Sequence, residues 1–239
     1  MKEGGIGARI LEGLTILVVA VCISALIRMF LFQAFWIPSG SMKPTLEIRD
    51  TVIASRLTPG IHDVRRGDVV VFEDQLGWST KSEPDGGFAQ SVNDFLTFVG
   101  LRANSSDYFF VKRVIGVGGD HVRCCTVDGQ LEINGQAVSE PYLAPGADNA
   151  MLPFDITVPD GHLWVMGDNR NNSADSRFHM GGGQSPFVPV DSVVGRVWRV
   201  ILPFGHFSDP NHNEIFATVP EPVVGKSSVA VPSESATAQ

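Results

Sequence analysis

Two hydroxyls, Ser39 and Ser41, stand in the run Pro38-Ser39-Gly40-Ser41-Met42-Lys43-Pro44-Thr45-Leu46, where two prolines and a glycine restrict the backbone around them. Such a turn can hold a serine oxygen in one place, but the alcohol is a weak nucleophile without a base beside it. Taken alone, the segment is equally ordinary turn chemistry. A base is offered by Lys112, in Phe109-Phe110-Val111-Lys112-Arg113-Val114-Ile115, whose neighbours are large and apolar. Burial there disfavours the ammonium and can bring its pKa from about 10.4 towards neutrality, leaving an amine able to accept a serine proton. A fall of about three pKa units demands about 4 kcal/mol of unfavourable environment, which ordinary burial can supply. An edge-strand lysine pointing into water is the competing reading.

A third segment, Gly167-Asp168-Asn169-Arg170-Asn171-Asn172-Ser173-Ala174-Asp175-Ser176-Arg177, follows the apparent strand Leu163-Trp164-Val165-Met166. It is dense in turn formers and hydroxyls and holds one close pair of opposite charges, Asp175 and Arg177. Turn chemistry accounts for the Gly and Asn residues, and the charges could form a surface ion pair of little energetic worth. Metal chemistry has less to build on. The six histidines fall singly, with no His-Glu-x-x-His and no paired cysteine spacing, so neither a metal nor another cofactor is expected.

The elements that must position these groups belong to a chain of 239 residues, enough for one sizeable domain. A net charge of -8 leaves no basic field for a polyphosphate backbone, so nucleic acid is not an expected partner. Residues 10–30 read as a membrane-spanning helix with an aromatic belt continuing through Phe30, Phe32, Phe35 and Trp36. A retained anchor is favoured over a cleaved secretory signal, because Ile23-Ser24-Ala25 is a poor match to small-x-small. Flanking charges are too evenly balanced to set its orientation. Residues 1–9 are then a cytoplasmic terminus and 31–218 a β-rich domain outside the cytoplasm. Strands are predicted over Asp68–Phe72, Phe109–Ile115, Gln130–Ile133, Gln136–Ser139, His162–Met166 and Val193–Ile201, with Asn134-Gly135 as a type I′ hairpin turn. The fold class is therefore mainly β: one amino-terminal transmembrane helix followed by antiparallel sheets. The Gly-, Ser- and Asp-rich interval 73–107 reads as a surface insertion, with Phe88, Val92, Phe95, Leu96 and Val99 at helical spacing inside it. Residues 219–239 lack periodicity and read as a disordered tail. Of three cysteines, Cys124 and Cys125 are neighbours, and on a strand they would point to opposite faces as two packed thiols rather than a disulfide.

The serine segment, the strand Arg66-Gly67-Asp68-Val69-Val70-Val71-Phe72, the lysine strand running on to Gly116-Val117-Gly118-Gly119-Asp120, and the Gly-Asp-Asn-Arg segment together resemble the signature boxes of bacterial type I signal peptidases, in that family's chain order. The resemblance implies a serine endopeptidase with a Ser-Lys dyad. Ser41 is its nucleophile, and Lys112 is its general base and later the acid for the leaving amine. By the same resemblance Ser173 orients the Lys112 amine, while the Ser41 N–H and the Ser39 hydroxyl form the oxyanion hole. Asp168, Asp175 and Arg177 support the loop. Ile37, Pro38, Met42, Leu46 and Val111 match the family's shallow apolar subsites, which take small side chains at the -3 and -1 positions.

The implied partners are the signal peptides of exported preproteins, a lipid bilayer and the export machinery. Two departures touch loop geometry rather than the dyad: Asn171 stands where many members carry Asp, and Gly118-Gly119 replaces a Leu-Pro-Gly wording. Two alternatives remain at this level. A self-cleaving repressor protease shares the dyad but carries an amino-terminal DNA-binding domain, and a tethered preprotein-binding domain would have lost catalysis.

Overall fold

The computed structural model describes residues 6–79 and 109–222. Helix α1 (Ile6–Phe30) leads into strand β1 (Phe32–Trp36), which pairs antiparallel with β2 (Thr51–Ser55). The segment between them carries the serine turn. A single helical turn, α2 (Leu57–Gly60), precedes β3 (Val69–Glu73), and β4 (Phe109–Val117) resumes beyond the 80–108 interval. Then follow β5 (His121–Cys124), β6 (Leu131–Ile133), β7 (Gln136–Val138), β8 (Phe154–Thr157), β9 (His162–Met166), β10 (Val188–Pro189) and β11 (Val193–Leu202). They form a seven-stranded sheet ordered β1-β2-β11-β3-β4-β9-β10 and a four-stranded one ordered β7-β6-β5-β8. Every pairing is antiparallel, so the mainly β architecture expected from the sequence is what the chain adopts.

The continuous apolar run of β3 has a physical reason in its two buried faces. Val69 and Val71 pack on one side with Ile37, Met42, Leu46 and Val197, while Val70 and Phe72 pack on the other with Val114, Leu163 and Val165. The small sheet closes over Ile115, Trp164 and Met166 of the large one, forming a third apolar cluster. At the β6–β7 turn, Asn134 and Gly135 both take positive φ, as the hairpin reading required.

Five expectations are corrected or bounded. Among the described residues no helix is long and apolar enough to cross a membrane. Helix α1 is 25 residues long, but Glu12 and Arg28 limit its uncharged run to about 22 Å, short of a hydrocarbon core of about 30 Å. Phe35 of the presumed aromatic belt is buried in the domain as part of β1. Cys124 and Cys125 form a disulfide with each other rather than two thiols; β5 ends at Cys124, so strand alternation no longer separates the pair. The chain does not loosen at Val219, which is buried beside Phe216, and the Pro220 carbonyl accepts a hydrogen bond from Asn134 Nδ2 at 2.8 Å. The helical spacing inside 73–107 and the tail beyond Pro222 fall outside the described residues.

Candidate active site

Strand β4 lies between β3 and β9, but at Lys112 it has a strand partner on the β3 side alone. The cross-strand partner of Lys112 is Val70, and Arg113 is the first β4 residue paired with β9, opposite Met166. At Lys112 the neighbouring strand has therefore ended, and the Gly167–Asn169 loop passes in its place. The lysine is 3% exposed. Its Nζ donates to Ser41 Oγ at 2.8 Å and to the Val111 carbonyl at 3.2 Å. Burial lowers the Lys112 pKa from 10.5 to about 8, against the opposing pull of the Asp175 and Asp168 carboxylates.

The serine turn is fastened to the loop after β9. Asn169 donates its backbone N–H to the Ser41 carbonyl at 3.0 Å and its Nδ2 to the Gly40 carbonyl at 3.1 Å. Thr45 Oγ1 donates to Asp168. Gly167 makes this approach possible: a Cβ there would collide with the Ser41 carbonyl oxygen and with Ser173 Oγ. Ser39 Oγ lies 3.3 Å from Ser41 Oγ at the exposed rim of the turn, and the Ser41 backbone N–H makes no hydrogen bond among the described residues.

Buried charge holds the loop rigid. Asp168 accepts two hydrogen bonds from Arg113, at 2.8 and 2.6 Å, with both side chains fully buried. Arg113 Nη1 donates to the Gly67 and Pro210 carbonyls. Asp175 accepts from the Gly167 N–H and pairs with Arg177, whose Nη2 also reaches the Arg170 carbonyl. This pair is wholly buried, so the surface reading of Asp175 and Arg177 is overturned. Arg170 in turn bonds the Gly167 carbonyl and makes a two-pronged contact with Glu140. Burial pushes the Glu140 carboxyl up, but the Arg170 charge and hydrogen bonds carry it below its usual range.

Most of the residues anticipated from the sequence come together here. Ser39, Ser41, Lys112, Asp168, Asp175 and Arg177 form one connected cluster, and Ile37, Met42 and Leu46 are buried beneath the turn, with Val111 packed against them and Pro38 at the surface. Ser173 departs from expectation. Its hydroxyl sits against Gly167 but is buried with no hydrogen-bond partner, so the anticipated bond to Lys112 is not formed. The bracing residues Thr45, Asn169, Arg113, Arg170 and Glu140 were not anticipated. Arg113 had a signal, since an arginine inside an apolar strand needs a carboxylate partner. Glu140 had none, because its partner is 30 residues away in sequence.

An amine of lowered pKa in contact with an alcohol is an arrangement able to deprotonate it. A family model described as signal peptidase, peptidase S26, matches residues 10–202. The probable signal peptidase I of Mycobacterium leprae is 37% identical over 216 residues, spanning 78% of this chain and 74% of that protein. Signal peptidase I of Mycobacterium tuberculosis is 35% identical over 209 residues, with 78% and 70% covered. Signal peptidase I S of Bacillus subtilis is 35% identical over 195 residues, with 75% and 88% covered. The chain belongs to the signal peptidase family, peptidase S26, and is a serine endopeptidase.

Proposed function

We propose that this enzyme removes amino-terminal signal peptides from exported preproteins. Ser41 attacks the scissile carbonyl while the neutral Lys112 amine takes its proton. The observation that carries this reading is the 2.8 Å hydrogen bond between a buried amine of lowered pKa and that hydroxyl. The unengaged Ser41 N–H and the nearby Ser39 hydroxyl are suited to receive the oxyanion. Lys112, then protonated, gives its proton to the departing amine, and a water repeats the sequence to free the acylated serine. Ser173, buried without a partner, supplies an acceptor for an ammonium proton at that stage.

Because Ile37, Met42 and Leu46 are already packed beneath the turn, little depth remains above them for a substrate side chain. That favours small residues at -1 and -3. Helix α1 fastens the domain to a bilayer: its side chains Ile10, Leu11, Leu14, Ile16 and Leu17 are exposed, an arrangement costly in water. The catalytic domain then works on the outer side of the membrane, on preproteins delivered by the export machinery.

The test is incubation of the full-length protein and Ser41→Ala, in detergent, with a preprotein carrying a small-x-small site. Wild type should cut once, directly after that motif, and Ser41→Ala should not cut at all. Equal cleavage by both proteins, or cleavage elsewhere, refutes the reading. Recovery of the protein in an alkaline carbonate supernatant refutes the bilayer anchor.

A further inference from the structure

Lys112 shares its face of β4 with Phe110 and Val114, whereas Phe109 and Val111 face the cluster beneath the serine turn. A base that must later protonate the departing amine stands on the leaving side of the scissile bond. The substrate's two halves thus part at Ser41: the signal-peptide half lies towards Val111, Ile37 and Met42, and the mature half towards the face holding Phe110.

On that face of β4 stands a file of rings. Lys112 Nζ stands 5.7 Å from the Phe110 ring centre, Phe110 is 6.0 Å from Trp78, and Trp78 stacks on His179 at 4.3 Å with planes 10° apart. His179 meets Phe178 edge-on at 5.4 Å, and Phe178 is 64% exposed. The file is braced. Asp74 accepts the backbone N–H groups of Trp78 and Ser79, Trp78 Nε1 donates to the Ser185 carbonyl at 3.0 Å, and Gln184 joins His179 Nδ1 to the Gly77 carbonyl. Burial lowers the His179 pKa, which favours its uncharged form. An exposed phenyl ring at the end of a braced, uncharged file is suited to contact apolar chain.

We propose that Phe178, backed by the buried His179 and the half-buried Trp78 and Phe110, forms a ledge that binds the mature-protein side of the substrate and favours apolar or aromatic side chains there. The proposal rests on the assignment of Ser41 and Lys112 above. At about 3.4 Å per extended residue, Phe178 is within reach of the first six or so residues after the cut. This adds a second selection, on the mature side, to the one for small residues on the signal side.

The experiment uses full-length enzyme in detergent and two preproteins identical up to the cleavage site, one with Leu and Phe and the other with Ser and Asp among the first six mature residues. Wild type should favour the apolar substrate by about tenfold in kcat/KM. Phe178→Ala should cut that ratio to within about twofold, and Phe178→Leu, which keeps an apolar side chain, should retain most of it. The dependence on the -1 residue should be the same in all three. A wild-type ratio near one, an unchanged ratio in Phe178→Ala, or equal loss in Phe178→Leu overturns the ledge. Failure of wild type to cut either substrate, or cutting by Ser41→Ala, instead removes the parent assignment.

Discussion

Replacing Lys112 by Met keeps the length of the side chain and removes its charge, which should destroy activity while making the folded protein more stable at neutral pH. The sign follows from linkage. Lys112 titrates near 8 when folded and near 10.5 when unfolded, so between those values the unfolded chain holds more protons and stability rises with pH. Below pH 8 both states carry the proton, and the folded state bears the whole cost of a buried ammonium. The fall from 10.5 to about 8 corresponds to about 3 kcal/mol at pH 7 and about 1 kcal/mol at pH 10. Against this, Met loses the hydrogen bonds to Ser41 Oγ and the Val111 carbonyl, worth about 1 kcal/mol each. That loss is the same at both pH values.

Urea unfolding of Ser41-intact Lys112→Met beside wild type, at pH 7 and pH 10, isolates the titration from the constant terms. The variant should gain about 1 kcal/mol relative to wild type at pH 7 and fall about 1 kcal/mol below it at pH 10, with no preprotein processing at either. The informative quantity is the change of about 2 kcal/mol between the two conditions. A difference independent of pH would mean that the amine keeps its solvated pKa in the folded protein. The proton-transfer argument would then fail with it.

For the reaction itself, kcat/KM for a preprotein should rise about tenfold per pH unit below 8 and level off above it, since only the neutral amine accepts the Ser41 proton. A flat profile between pH 6 and 9 contradicts that role. Ser39→Ala should lower kcat by about 10²-fold with KM little changed, as for loss of one oxyanion donor, and measured stability should hardly move because Ser39 is at the rim. Gly167→Ala should cost activity and several kcal/mol of stability together, because its Cβ would occupy space held by the Ser41 carbonyl and Ser173 Oγ. A Gly167→Ala enzyme of normal melting temperature and rate would mean that the serine turn and the loop after β9 are not in close contact.

That Ser39, Ser41 and Lys112 would be the residues to bring together was legible in the sequence, but the supports of that cluster were not, and the reason is one of distance along the chain. Lys112 announces itself because a single ammonium in Phe-Phe-Val-Lys-Arg-Val-Ile forces a choice between burial and an edge, and the long strand β4 settles it. Long or turn-punctuated strands such as β4, β9 and the β6–β7 hairpin were readable for the same local reason. β1, β2, β5, β8 and β10 were missed, being two to five residues long and dependent on partners for their hydrogen bonds. The spacing of Asp175 and Arg177 showed that they could meet, but not that both would be buried, because burial is decided by what folds over them. Arg113 with Asp168, and Arg170 with Glu140, join segments 55 and 30 residues apart. Breaking either pair would strand a buried charge at a cost of about 3–5 kcal/mol. The loop after β9 is therefore held by residues that carry no motif of their own, and a variant at Glu140 is expected to loosen it as much as one within the serine turn.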